Sequence, residues 1–379
     1  MYKTVWTAGF AMFAMFFGSG NLIFPLAIGV DTLNQWGIAT FGLFLTGICV
    51  PFIGMFAMIL YDGNREEAFN MIGRWPALLL AFAMLSLMGP FGVSARCIIV
   101  AYGGIQLLFS EMPFWIFSVL FSVLGGLIIW KKDSWVNIIG RFLTPVLLLS
   151  IVLIIGFGVF CHPGISAAAV KCPEALIVGL DQGYQTMDLL AAFFFSATIV
   201  QHLHQNELLK NTKALKKVSL QASFIGAGLL SLVYVGFVAL GAFYAPMIKN
   251  INPEQRLIAV AGEVLGGYAI PVVATTIALA CLTTFIVLTV LFSDFIKKNF
   301  FQNKVDDNIT IIITLIIGFL VSLIGFNGLA IWIAGAMEIA YPALIAFAIS
   351  LIIKKTMDLD FVKLAFWGVL TIGILLRVF

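Results

Sequence analysis

The sequence predicts an all-α integral membrane protein of about eleven spans, on the strength of its hydropathy, its scarcity of charge and the length of its apolar runs. Of 379 residues, 62% are hydrophobic and only 10% are charged, and the mean hydropathy is +1.09. Soluble domains carry about 25% charged residues to wet their surface, so the solvent for this chain is a bilayer. Each span needs about 20 apolar residues to cross the hydrocarbon and must satisfy its own backbone. Unbroken runs such as 147–156 and 309–320 lack the period-two alternation of a membrane barrel, which leaves helices.

Apolar runs between charged or Pro/Gly punctuation place the spans at 7–29, 36–60, 77–109, 113–130, 137–160, 175–200, 218–243, 268–295, 309–326, 328–353 and 362–378. The basic residues then alternate across the membrane. Lys3, Arg65, Arg74, Lys131, Lys132, Arg141, Lys210, Lys213, Lys216, Lys217, Lys297, Lys298, Lys304, Lys354, Lys355 and Lys363 fall on one side. Only Lys171, Lys249, Arg256 and Arg377 fall on the other. The rich side is cytoplasmic, so the N-terminus is expected inside and the C-terminus outside a multi-pass inner (cytoplasmic) membrane protein. The first thirty residues do not read as a secretory signal, because the apolar run is too long and is interrupted by Gly-Ser-Gly-Asn.

The chain reads as one transmembrane domain, 1–379. Because five spans precede the sixth, helices 1–5 (1–160) and 6–10 (175–353), if they are repeats, are inverted repeats, with 362–378 as an extra helix. A Walker motif is absent, so any transport is driven by a gradient or is passive. A net charge of +3 spread over many loops gives no argument for nucleic acid. Cys49, Cys97 and Cys281 lie in apolar spans as fillers. Cys161 and Cys172 share a loop and are either free or bridged, according to the compartment that the loop faces. Three histidines, His162, His202 and His204, are too few for a rich metal site.

The first span carries the sharpest feature, Phe16-Phe17-Gly18-Ser19-Gly20-Asn21 at mid-membrane. Each glycine costs a helix about 1 kcal/mol against alanine. Ser19 and Asn21 add polar side chains, and Pro25 suits the first turn of a helix that restarts. A helix broken here aims free amides and the positive end of a dipole at the midplane, ready for a carboxylate. The alternative is a small-residue packing face. The third span is long enough to tilt or to break at Gly89-Pro90, and Arg96 follows. In the sixth span, Gly183-Tyr184-Gln185-Thr186-Met187-Asp188 places a carboxylate at mid-depth, a functional candidate by cost alone. Asp188 could instead satisfy backbone amides or pair with Arg96. In the eighth, Ala280-Cys281-Leu282-Thr283-Thr284 offers two hydroxyls, hard oxygen ligands for an alkali cation, unless each bonds back to its own helix. Segment 253–267, which includes Glu263, reads as an external helix or lid, or as a plain loop. Glu338, before Tyr341-Pro342 in the tenth span, and Arg96 are charges that gate, relay protons or pair.

The string Phe16 to Leu26, with Gly183–Asp188 and Ala280–Thr284 in the same order, resembles the bacterial branched-chain amino acid:cation symporters (LIVCS family, BrnQ type). The resemblance runs over essentially the whole chain. That family belongs to the amino acid–polyamine–organocation superfamily and has a LeuT-type fold. The resemblance therefore implies a 5+5 inverted repeat with helices 1 and 6 discontinuous, and uptake of leucine, isoleucine and valine with sodium or protons. It implies that Gly18, Ser19, Gly20 and Asn21 hold the substrate carboxylate, and that Thr186, Asp188, Ala191 and Ala192 border its ammonium group. Carbonyls of Ala14, Phe17 and Ala280 with Thr283 and Thr284 would form the cation site. Two departures stand out: Ala95-Arg96-Cys97 replaces the family's usual Pro-Arg-Thr, and eleven spans replace its usual twelve.

The sequence expectation is thus a secondary symporter with no cofactor beyond the coupling ion, Na+ or H+, and no obligatory protein partner. The rivals are another neutral amino acid or nucleobase carrier on the same fold, a channel, and a membrane enzyme. The last has only His202 and His204 near Glu207 to offer.

Overall fold

A computed structural model describes residues 2–130, 144–161, 164–165, 170–204, 212–267 and 269–378, and every regular element among them is helical. Lys131, Lys132, Arg141, His162, Glu207 and Lys210 lie outside the described residues. The first predicted span is two helices, α1 (Tyr2–Phe16) and α2 (Ser19–Thr32). The second is α3 (Trp36–Phe44) and α4 (Val50–Leu60), joined by a π-helical turn at Leu45–Cys49. Short α5 (Arg65–Asn70) leads into α6 (Arg74–Met88) and α7 (Val93–Gln106). Next come α8 (Phe114–Trp130), α9 (Thr144–Phe160), the pair α10 (Cys172–Gln185) and α11 (Asp188–His204), and α12 (Thr212–Phe243). The chain ends with α13 (Arg256–Leu265), α14 (Ala269–Asn299), α15 (Asp307–Ser322), α16 (Phe326–Met357) and α17 (Val362–Val378).

Among the described residues, five helical stretches are long and apolar enough to cross a membrane, and six shorter apolar helices of 10–17 residues accompany them. Large apolar side chains cover the outside of the bundle, including Leu79 on α6, Leu127 on α8, Ile331 on α16 and Leu376 on α17. That is the exterior a hydrocarbon solvent favours.

The third span breaks, as Gly89-Pro90 allows. Pro90 has no N–H, and it drives the residue before it out of helical geometry. The α6 ladder accordingly closes with the Gly89 N–H on Leu85 O, 2.7 Å, and α7 restarts at Val93. Segment 253–267 is helical over α13, which buries Leu257, Ile258, Val260 and Ala261 and leaves Glu263 exposed. Cys161 and Cys172 are both exposed free thiols, so the bridge that the shared loop allows is not made.

The broken helices run through the centre of the bundle. All of α2 except Ala27 and Asp31 is buried. Glycines bring its neighbours within backbone contact, as small residues do in membranes. A Cβ on Gly29 would sit 2.1 Å from Val238 O on α12, and one on Gly241 would sit 2.2 Å from Leu26 O. Gly179 on α10 meets Ala39 O on α3 at 2.0 Å in the same sense.

At one end of the bundle, the turn after α4 and α5 gathers ion pairs from three long helices. Lys216 on α12 reaches Asp62 at 3.2 Å, Lys298 on α14 contacts Glu66, and Lys355 on α16 reaches Glu67 at 3.2 Å. Arg65 lies over the Phe194 ring at 5.3 Å.

Candidate functional site

The break in the first span falls at Phe17-Gly18. The α1 ladder ends with the Phe17 N–H on Phe13 O at 2.8 Å, and Gly18 is extended at φ −117°, ψ −163°. Ser19, Gly20 and Asn21 are therefore the first turn of α2, where no carbonyl of the same helix can reach their amides. The restart comes earlier than the sequence reading assumed. Pro25 is the seventh residue of α2 and not part of its first turn. Its missing N–H therefore costs a bond to the carbonyl four residues back, that of Asn21.

The sixth span breaks at Thr186-Met187. The Thr186 hydroxyl donates to Gly183 O at 2.8 Å, and the Met187 N–H to Tyr184 O at 3.1 Å. Met187 has φ +63°, so the backbone takes a left-handed conformation there that interrupts the helix. Asp188 opens α11, next to a helix N-terminus that favours its charge. The Leu189 amide in that same turn donates to the Tyr341 hydroxyl of α16 at 3.1 Å.

The two breaks face one another and are pinned together. The Asn21 side-chain amide donates to Asp188 Oδ1 at 3.2 Å and Oδ2 at 3.1 Å. The Tyr234 hydroxyl of α12 donates to Asp188 Oδ2 at 2.5 Å and is itself contacted by Asn21 Nδ2.

Arg96 on α7 is fully buried beside the same breaks. Its Nε donates to Ser19 Oγ at 3.3 Å, its Nη1 donates to Gln185 O at 3.4 Å, and its guanidinium stacks over the Phe24 ring at 5.1 Å. It thus touches α2 and α10 at their broken ends, and no ion pair with Asp188 is made among the described residues. The direct pairing that the sequence left open does not occur. Glu338 is exposed on α16 and lies outside this site.

Between the breaks is a small cavity of about 20 Å³. Gly18, Ser19, Gly20, Asn21, Thr186, Asp188, Ala191, Arg96 and Thr284 border it with polar or small groups, and Met15, Phe16, Met88, Val93, Phe195 and Leu288 with apolar ones. Ala192 stands behind this wall, and its carbonyl accepts the Ser196 hydroxyl. On the α14 side, Thr284 Oγ1 donates to Phe17 O at 3.4 Å, which makes it a neighbour of the break. Thr283 Oγ1 bonds back to Ala280 O at 2.8 Å, and Ala14 is buried in the last turn of α1.

Residues 1–378 match the family described as "Branched-chain amino acid transport protein". The chain belongs to that family. It is a family of transporters and not of enzymes. A Staphylococcus aureus (strain USA300) protein, whose name provisionally assigns it as a branched-chain amino acid carrier, is 27% identical over 377 residues, covering 94% of this chain and 83% of its own. The branched-chain amino acid permease BrnQ of Haemophilus influenzae is 28% identical over 307 residues, covering 78% and 70%.

The solved structures add the fold alone. The nucleobase-cation-symport-1 transporter Mhp1, closed with bromovinylhydantoin bound, aligns at TM-score 0.63 and 16% identity over 98% of this chain and 91% of its own. The Eremococcus coleocola manganese transporter gives 0.61 at 14% over 98% and 85%, and an outward-open Na+-coupled sialic acid symporter gives 0.58 at 16% over 99% and 90%. This branched-chain amino acid transport protein therefore is an all-helical, multi-pass membrane protein that shares its fold with LeuT-type transporters.

Tyr234 and Tyr341 are the site residues that sequence reasoning missed. The available signal was a tyrosine in the middle of an apolar helix, where its hydroxyl has to find a partner. Such a residue names no partner, however. Asp188 lies 46 positions from Tyr234, and Leu189 lies 152 from Tyr341.

Proposed function

We propose that this protein is a secondary active symporter that imports leucine, isoleucine and valine with a monovalent cation, Na+, across the bacterial inner membrane. Its helices 1–5 and 6–10 form inverted repeats, with α17 as an added helix and the N-terminus in the cytoplasm. One observation carries the reading. The first turn of α2 and the carboxyl group of Asp188 border one cavity whose other walls include Met15, Phe16, Met88, Val93, Phe195 and Leu288. A zwitterion with an aliphatic side chain fits that division of polarity. Its carboxylate takes the amides of Ser19, Gly20 and Asn21, and its ammonium takes Asp188. Selection among the three substrates is expected to be weak, because one methylene in an apolar pocket is worth about 1–3 kcal/mol.

Sodium is treated as a co-substrate. The Phe17 carbonyl and the Thr284 hydroxyl at the end of α1 are hard oxygen donors beside the negative end of a helix dipole. Carbonyls of Ala14 and Ala280 and the Thr283 hydroxyl complete the proposed set. An ion there favours the broken form of the first span, and so tightens amino acid binding by reciprocal linkage.

The test is labelled-leucine uptake into proteoliposomes, first under a sodium gradient at fixed pH and then under a proton gradient without sodium. Uptake that follows only the proton gradient overturns the ion assignment. That outcome points to Asp188, a buried carboxylate, as the proton carrier. Competition by a panel of amino acids and nucleobases tests the substrate class, and inhibition by nucleobases alone overturns it.

A further inference from the structure

We propose that Arg96 is a substrate-binding residue whose free Nη2 clamps the α-carboxylate of the transported amino acid. The inference deepens the proposed function and rests on its reading of the cavity as an amino acid site.

Three of the contacts a guanidinium can make are already fixed. Nε is held by Ser19 Oγ, Nη1 by Gln185 O, and the π face by Phe24. Nη2 is the exception, a buried donor without a hydrogen-bond partner. It sits over the first turn of α2, so close that a Cβ added to Gly20 would lie 2.7 Å from it. Arg96 also borders the cavity, with Gly20 and Asp188 among its neighbours there.

The electrostatics favour an anion at this point. Arg96 is fully buried, and no carboxylate comes within 4 Å of it among the described residues. Nη1 rests on the negative C-terminal end of α10 through Gln185 O, whereas Nη2 lies over the N-terminus of α2, which carries positive partial charge. Nη2 therefore faces a positive helix end with no acceptor of its own, and a buried charged donor left unsatisfied is costly. Asp188 does not satisfy Nη2: its oxygens accept from Asn21 and Tyr234 and make no hydrogen bond to Arg96. A carboxylate placed between Nη2 and the Ser19–Asn21 amides satisfies both. Arginine suits this task, since its planar fork stays charged and pre-oriented while two of its nitrogens anchor it. Gly20 is then required for space: with no Cβ, it lets the guanidinium approach the amides that share the ligand.

The experiment is equilibrium binding of labelled leucine to the purified full chain in detergent. Leucine and leucinamide serve as competitors, because leucinamide keeps the ammonium and side chain but lacks the carboxylate charge. Arg96→Gln is expected to weaken leucine by about 10- to 100-fold while leucinamide shifts by less than about threefold. Arg96→Lys, which keeps the charge but loses the fork, is expected to fall between. Equal weakening of both ligands, or unchanged binding with slower uptake, assigns Arg96 to structure or gating and overturns the clamp. Should Arg96→Gln not fold, Gly20→Ala reads the same ratio with the arginine present. An unaltered leucine-to-leucinamide ratio there also overturns the clamp. The substrate reading fails separately: a wild-type protein that ignores leucine, isoleucine and valine but binds another α-amino acid through Arg96 refutes that reading and upholds the clamp.

Discussion

The breaks in the first and sixth spans look alike in outline but differ in what they do with their loose backbone groups. At Phe17-Gly18 the first-turn residues of the restarting helix border a cavity, and the N-cap position, Gly18, has no side chain to cap their amides. At Thr186-Met187 the protein supplies its own partners. Arg96 takes Gln185 O, Tyr341 takes the Leu189 amide, and Asp188 places a carboxylate at the helix start. One interruption therefore leaves uncapped first-turn residues beside the cavity, and the other sets a carboxyl group beside it. The lesson is that a discontinuous helix is not by itself a binding site. What matters is whether side chains have already claimed the exposed peptide groups.

This contrast can be attacked residue by residue. The largest effect is expected from Asp188→Asn, which removes the only charge of the sixth-span break from the cavity. Leucine uptake should fall roughly 100-fold, and near-normal uptake in proteoliposomes would reduce that break to a structural role. Next comes Thr284→Ala, which strips an oxygen from beside Phe17 O. The sodium concentration for half-maximal uptake should rise about tenfold at unchanged leucine selectivity, and an unmoved sodium curve would detach the first-span break from the ion. Tyr234→Phe removes one donor to a charged acceptor, so leucine affinity should weaken about five- to tenfold in a binding titration. Tyr341→Phe removes a neutral acceptor from the Leu189 amide, and a loss of only about 1 kcal/mol is expected, visible in thermal unfolding more than in affinity. If Tyr341→Phe proved more damaging to leucine binding than Tyr234→Phe, backbone groups of the sixth span would be contacting the solute after all.

The difference between the breaks also decided what could be read in advance. Gly18, Ser19, Gly20 and Asn21 announce a helix stop within four positions, because the disfavour is local to each residue. Thr186 and Met187 announce nothing of the kind. Met187 adopts φ +63° because Asn21, Tyr234 and Tyr341 hold the residues around it, all of them far away in sequence. The same limit explains two misplacements. Pro25 permits a first turn but does not demand one, so it could not fix where α2 begins. Arg96 and Asp188 invited pairing as lone opposite charges in apolar spans, yet each found partners on other helices. The all-helical membrane bundle was legible throughout, since it rests on the cost of polar groups in hydrocarbon. The third-span break at Gly89-Pro90 was visible as one of two options for the same reason.

The ion pairs that collect on residues 62–67 set a scale for motion at that end of the bundle. Each joins the turn to a different long helix, and the side chains of all three pairs are between a third and three-quarters exposed to solvent. Water and dissolved salt compete with such contacts, which are worth about 0–1 kcal/mol apiece and are screened beyond ~8 Å at physiological ionic strength. Contacts this weak are able to part and re-form with thermal energy, so raising the salt on that face alone should shorten the time each pair stays made.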